Sequence, residues 1–137
     1  MAFVIDCSAT MPWLLRNDAT GYADQVLHTF TKEPAVVPEL WYLEVSNVLL
    51  VFERRGRIDA EESNRFTSLL QELPLSVDEG ISHRVFSRII NLARDYELSS
   101  YDATYLELAM RESLPMATLD GQLRLAAQKA GVELVGA

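Results

Sequence analysis

Short apolar runs, each too brief for a helix, alternate along this chain with longer segments of helical spacing, and that alternation restricts the fold more than any other feature. Phe3-Val4-Ile5, Ala35-Val36-Val37, Leu75-Ser76-Val77, Pro115-Met116-Ala117-Thr118 and Val132 to Val135 read as five strands. Helical spacing covers Tyr22 to Lys32, and after Pro38 a long helix runs from Glu39 to Arg55, ending at Gly56 with arginines in its last turn. Asp59 and Glu62 form a capping-box start for a helix to Leu73, stopped by Pro74. A helix is expected from about Gly80 to Tyr96, and another, capped by Ser99 or Ser100, runs to about Glu112. A last helix spans Asp120 to Ala130 and stops at Gly131. Strands separated by helices predict an α/β fold, a mostly parallel five-stranded sheet with helices on both faces. In such sheets, sites form just beyond the C-terminal strand ends.

The 137 residues, with no repeat or linker-like stretch, are expected to form one domain spanning 1–137. No apolar run approaches the ~20 residues needed to span a bilayer. Met1 to Asp6 reads as an opening strand rather than a signal peptide. With Cys7 as the one cysteine, no internal disulfide can form, and the expected location is the cytoplasm. The net charge of −8 repels nucleic acid at long range. Either a local basic patch or cations offset it, or part of the acidic excess is there to hold metal.

Asp6 directly follows the first strand, and Asp120 lies two residues past the fourth. Both therefore fall at the edge where this architecture builds sites. Glu44 lies within the apolar segment Leu40 to Leu50, where an ionised carboxylate is costly unless paired or metal-bound. Asn47, three residues on, shares its helix face. Asp102 falls in the first turn of its helix. Each acid also has a plain structural reading: Asp6 as a turn residue, Asp120 as a helix cap, Asp102 as a dipole-favoured first-turn acid, and Glu44 facing solvent. Their shared position at one sheet edge favours a common site. Clustered carboxylates repel one another, and a hard divalent cation such as Mg²⁺ or Mn²⁺ relieves that cost. Such an ion can activate water against a phosphodiester. His28 and His83 have no ligand-like spacing, which argues against zinc.

The pieces Val4-Ile5-Asp6-Cys7-Ser8, Glu44-Val45-Ser46-Asn47-Val48-Leu49, Tyr101-Asp102-Ala103-Thr104-Tyr105-Leu106-Glu107-Leu108-Ala109 and Ala117-Thr118-Leu119-Asp120 occur in this order. Together they resemble the PIN-domain family, and most closely the VapC-type toxins of toxin–antitoxin modules. The resemblance covers essentially the whole chain. It implies a three-layer PIN-like sandwich in which Asp6, Glu44, Asp102 and Asp120 form an acidic metal site, with Ser8, Asn47 and Thr118 orienting acids or waters. It also implies cleavage of RNA, tRNA or another structured RNA among the candidates, with Mg²⁺ or Mn²⁺. Members are commonly homodimers, and a cognate antitoxin blocks the site.

Other features carry less. Cys7 reads as a packing residue, because no histidine is placed to activate it. No nucleophile elbow or phosphate-binding glycine loop is present. Arg84 and Arg88 share a helix face and are candidates for RNA backbone contact, as is the cluster Arg54, Arg55 and Arg57; ordinary ion pairing is the competing reading. Trp13, Trp41, Tyr42 and Phe52 are a further point of interest: Trp41 and Tyr42 precede Glu44 on a helix apolar on nearly every side, which requires burial in a core or at an interface with a second subunit or an antitoxin. The leading expectation is a metal-dependent endoribonuclease. Its competitors are a catalytically silent PIN-like binding protein, a DNA nuclease of related architecture, and a haloacid-dehalogenase-like phosphatase. The last would need a second Asp where this chain has Ser8.

Overall fold

A computed structural model describes residues 1–14 and 20–136 of the chain. In chain order the elements are β1 (Phe3–Ile5), α1 (Cys7–Thr10), a 3₁₀ turn (Met11–Trp13), α2 (Thr20–Phe30), β2 (Ala35–Pro38), α3 (Leu40–Arg54) and α4 (Ala60–Gln71). They continue with β3 (Leu75–Asp78), α5 (Ile90–Tyr96), α6 (Ser100–Glu112), β4 (Met116–Ala117) and α7 (Gly121–Ala130). The strands are parallel throughout and lie in the order β3-β2-β1-β4. Phe3 pairs with Ala35, and Ile5 with Ala117, so β1 is central and buried on both faces.

The helices flank this sheet. α6 packs on β1 and β2, with α5 and α7 beside it, while α1 contacts α2 and α3, and α3 rests on β2. The residues of β1 are fully buried, as are Ala103, Leu106, Leu108 and Ala109 of α6. Continuous apolar strands of this kind are what a sheet covered on both sides requires. Trp41 is also core, its indole N–H donating to Thr10 Oγ1 at 3.1 Å. Tyr42, Leu43 and Leu50 lie exposed on the opposite side of α3. The apolar helix therefore splits between the core and an open face. Trp13 is half-buried against Phe30, and Phe52 is half-buried beneath the Arg57 guanidinium.

Two sequence expectations need correction. Among the described residues the sheet has four strands rather than five. The segment expected as the fifth, Val132 to Val135, contributes a single bridge from Leu134 to Met116, held by Met116 N–H to Glu133 O and Val135 N–H to Met116 O at 2.9 Å each. Its neighbour β4 has just two residues before the chain turns to start α7, so no longer ladder can form. The helix expected from Gly80 to Tyr96 is also broken. It opens as a 3₁₀ turn at Ile81–His83, passes through a π-helical turn at Val85–Ile89, and becomes α-helical at Ile90. Arg84, between the two irregular turns, is pulled into a polar cluster, donating to Asp78, to the Glu79 carbonyl and to Glu107. That anchor holds the first turn away from α-helical continuation, and single π turns of this sort occur as interruptions inside helices.

The capping box at α4 forms as expected, with Glu62 N–H donating to Asp59 Oδ1 at 2.8 Å and Asp59 N–H donating to Glu62 Oε1 at 3.3 Å. Asp59→Ala is expected to cost about 1 kcal/mol of stability, the usual scale for a lost N-cap, and chemical denaturation would measure it.

Candidate active site

The C-terminal end of the sheet positions the acids. Asp6 leaves β1 and caps α1; its Oδ1 accepts from Ser8 Oγ at 2.7 Å and from Ala9 N–H at 3.0 Å, and its Oδ2 accepts from Thr118 Oγ1. Asp120 follows β4 and caps α7, accepting from Leu123 N–H at 2.9 Å. Ser8 and Thr118 sew these two strand ends together. Leu119 N–H donates to Ser8 Oγ, Asp120 N–H donates to Thr118 Oγ1, and the two hydroxyls lie 3.2 Å apart. Asp102 stands in the first turn of α6 behind the Ser99 cap. The cap reading of Asp120 is thus correct as local structure, Asp6 caps a helix where a turn residue was expected, and both roles are compatible with a shared site. Anions at helix starts gain from the dipole.

Glu44, in mid-helix on α3, is held by a hydrogen bond of 2.5 Å from the Tyr105 hydroxyl. Asp6, Glu44, Asp102 and Asp120 line one cavity of about 360 Å³, together with Ser8, Asn47, Cys7, Met11, Val48 and Tyr105. Thr118 lies behind Asp6, fully buried. Arg84 and Arg88 are not among the lining residues. Arg84 spends its donors on Asp78, Glu79 and Glu107. Arg88 is more open, 58% exposed and 3.8 Å from Glu107.

The lining includes no lysine or arginine. Burial pushes Asp6 up to about 6; donors from Thr118, Ser8 and Ala9 pull against that rise, and the Asp102 charge adds to it. Glu44 and Asp102 are raised as well, each first by burial, then by the charge of Asp102 on Glu44 and of Asp120 on Asp102. The acids therefore sense one another across the cavity. Cys7 is pushed up to about 12 by burial and by the charges of Glu44 and Asp6, which keeps it a thiol and removes it as a nucleophile.

Because Asp6 is raised from 3.8 to about 6, the folded chain holds this proton more tightly than the unfolded chain. Its contribution is then fully present below the lower value and is lost as pH rises through the upper one, a swing of roughly 3 kcal/mol. In EDTA, the melting temperature of Asp6→Asn is expected to gain on that of the wild type as pH rises from about 4 to about 6, and to hold that gain above it. A constant difference across that range would show that Asp6 does not titrate there.

Carboxylates, hydroxyls and an amide make an oxygen donor set suited to Mg²⁺ or Mn²⁺ and unsuited to softer ions. No three acidic, histidine or cysteine side chains among the described residues converge tightly enough to chelate an ion unaided. The acids share a cavity rather than a closed shell. That spacing suits an ion that keeps several of its waters.

Sequence reasoning did not single out Tyr105, Tyr22 or Arg124. Tyr105 lies three residues after Asp102, on the same face of α6, and that spacing was the available signal. Tyr22 accepts from Thr118 N–H at 3.1 Å across 96 positions of sequence, and Arg124 donates to the Thr118 carbonyl at 2.7 Å across the turn between β4 and α7; neither contact follows from strand or helix periodicity.

The PIN domain model matches residues 3–129, and the chain belongs to the PIN-domain family. PIN domains are generally nucleases. Among solved structures, that of PAE2754 from Pyrobaculum aerophilum is similar in fold, with a TM-score of 0.71 and 22% identity over 98% of this chain and 84% of that one. No curated protein sequence matches the chain.

Proposed function

We propose that this chain is a metal-dependent endoribonuclease that hydrolyses RNA phosphodiesters, acting as the toxin of a toxin–antitoxin module. The observation that carries this reading is the convergence of Asp6, Glu44, Asp102 and Asp120 on one cavity with no basic lining residue. Mg²⁺ or Mn²⁺ bound there supplies charge neutralisation and water activation for phosphodiester hydrolysis. Asp6, Glu44 and Asp102 are its direct ligands in this reading, and Asp120 completes the set directly or through water. Ser8 and Thr118 fix both Asp6 oxygens, and Asn47 offers a polar contact one turn beyond Glu44. Arg88, rather than the internally paired Arg84, is the member of that pair open to backbone phosphate.

The same reading assigns the chain to the cytoplasm, as a homodimer held in check by a cognate antitoxin. No helix among the described residues is long and apolar enough to cross a membrane. The exposed Tyr42, Leu43 and Leu50 offer apolar surface for one of those protein contacts.

The test is incubation of purified, antitoxin-free protein with a mixed RNA pool including tRNA, in Mn²⁺, Mg²⁺ or EDTA, with single-stranded DNA as competitor. Metal-dependent RNA cleavage leaving 5′-phosphate and 3′-hydroxyl ends is expected. Preferential cleavage of DNA would move the assignment to a DNA nuclease. A second reading, a silent PIN-like binding protein, draws on the open spacing of the acids. Metal binding without turnover of either nucleic acid would establish it.

A further inference from the structure

The acids of the cavity are not held alike. Asp6 receives three donors, and Asp120 is fixed by the cap it makes for α7. Glu44 is in the middle of α3, where no helix terminus can restrain it, and its carboxylate ends a long side chain with several rotatable bonds. Among the described residues its carboxylate has one hydrogen bond, from the Tyr105 hydroxyl to Oε1. Tyr105 itself is rigidly placed. Its side chain is 1% exposed within α6, three residues from Asp102, and its hydroxyl reaches the cavity wall.

We propose that Tyr105 is a positioning residue: its hydroxyl holds Glu44 Oε1 so that Oε2 faces the cavity, tying the α3 carboxylate to the helix that carries Asp102. This inference rests on the metal-dependent reading above. A hydroxyl serving only to satisfy its own burial would give the same contact, so the test must separate stability from metal affinity. Outer partners of metal ligands commonly change affinity 10–100-fold when removed. Tyr105→Phe keeps the buried ring and deletes the donor.

Mn²⁺ affinity is measured by calorimetry on the intact chain for wild type, Asp6→Asn, Tyr105→Phe, Glu44→Gln and the Tyr105→Phe/Glu44→Gln double variant. Melting temperatures are taken in EDTA, and Tyr96→Phe on α5 serves as a hydroxyl deletion outside the cavity. Tyr105→Phe is expected to weaken Mn²⁺ binding about tenfold, while Tyr96→Phe leaves it unchanged. In the Glu44→Gln background, Tyr105→Phe is expected to add nothing further, because it acts through Glu44. An unchanged or tighter affinity, with or without a lower melting temperature, overturns the proposal. So does an equal loss in both backgrounds. If Asp6→Asn abolishes binding but Tyr105→Phe does not weaken it, this inference alone fails. If the wild type binds no Mn²⁺, the metal-dependent reading fails and takes the inference with it.

Discussion

Asp6→Asn is expected to lower metal-dependent RNA cleavage at least about 10²–10³-fold, the scale for removing one group that stabilises a transition state directly. The substitution is nearly isosteric and retains an oxygen for the Ser8 and Ala9 donors. Thr118 Oγ1, which also accepts from Asp120 N–H, faces an amide in place of an acceptor if that oxygen is kept toward Ser8. The fold is therefore expected to persist while one formal charge is lost from the cavity. Circular dichroism and a melting curve on the same preparation check the first point, and initial rates in Mn²⁺ check the second. Cleavage that survives in the variant at the wild-type rate would remove Asp6 from the mechanism.

Glu107→Ala is expected to be strongly destabilising although it lies away from the cavity. Glu107 is 1% exposed on α6 and accepts from Arg84 Nε at 3.1 Å and from Arg111 Nε at 2.9 Å. Both arginines also grip Asp78, at 2.9 and 2.7 Å, so the cluster pins the end of β3 and the irregular turns before α5 to α6. Removing the central acid leaves two half-buried guanidinium groups sharing Asp78, with the half-exposed Glu112 as a further partner for Arg111 alone. Breaking a buried pair in this way costs about 3–5 kcal/mol, or a fall of about 10 °C or more in melting temperature for a domain of this size. Glu112→Gln, at the exposed rim of the same cluster, is expected to cost less than about 1 kcal/mol. Comparable losses from the two variants would show that the cluster is solvated rather than structural.

Much of this architecture was legible because it is written locally. Apolar triplets such as Phe3-Val4-Ile5, the Asp59–Glu62 box, Gly131 after α7 and the acids just past β1 and β4 each carry their meaning within a few residues. What escaped depends on partners far apart in sequence. The segment Val132 to Val135 has strand composition, but its pairing is limited by how soon β4 ends, a property of the neighbour. Arg84 and Arg88 look equivalent on a helical wheel, yet Asp78 and Glu107 claim Arg84 and distort the helix that the wheel assumes. Tyr105 reads as one more apolar residue of α6 until Glu44, 61 positions earlier, is found beneath its hydroxyl.

Anomalous diffraction from crystals equilibrated with Mn²⁺ tests most directly whether the four carboxylates share divalent cations in one cavity. An anomalous peak is expected inside the cavity, within bonding distance of at least one of Asp6, Glu44 and Asp102, with the remaining acids linked directly or through water. A cavity without a peak at saturating Mn²⁺, in crystals of protein that cleaves RNA in that ion, would contradict that sharing.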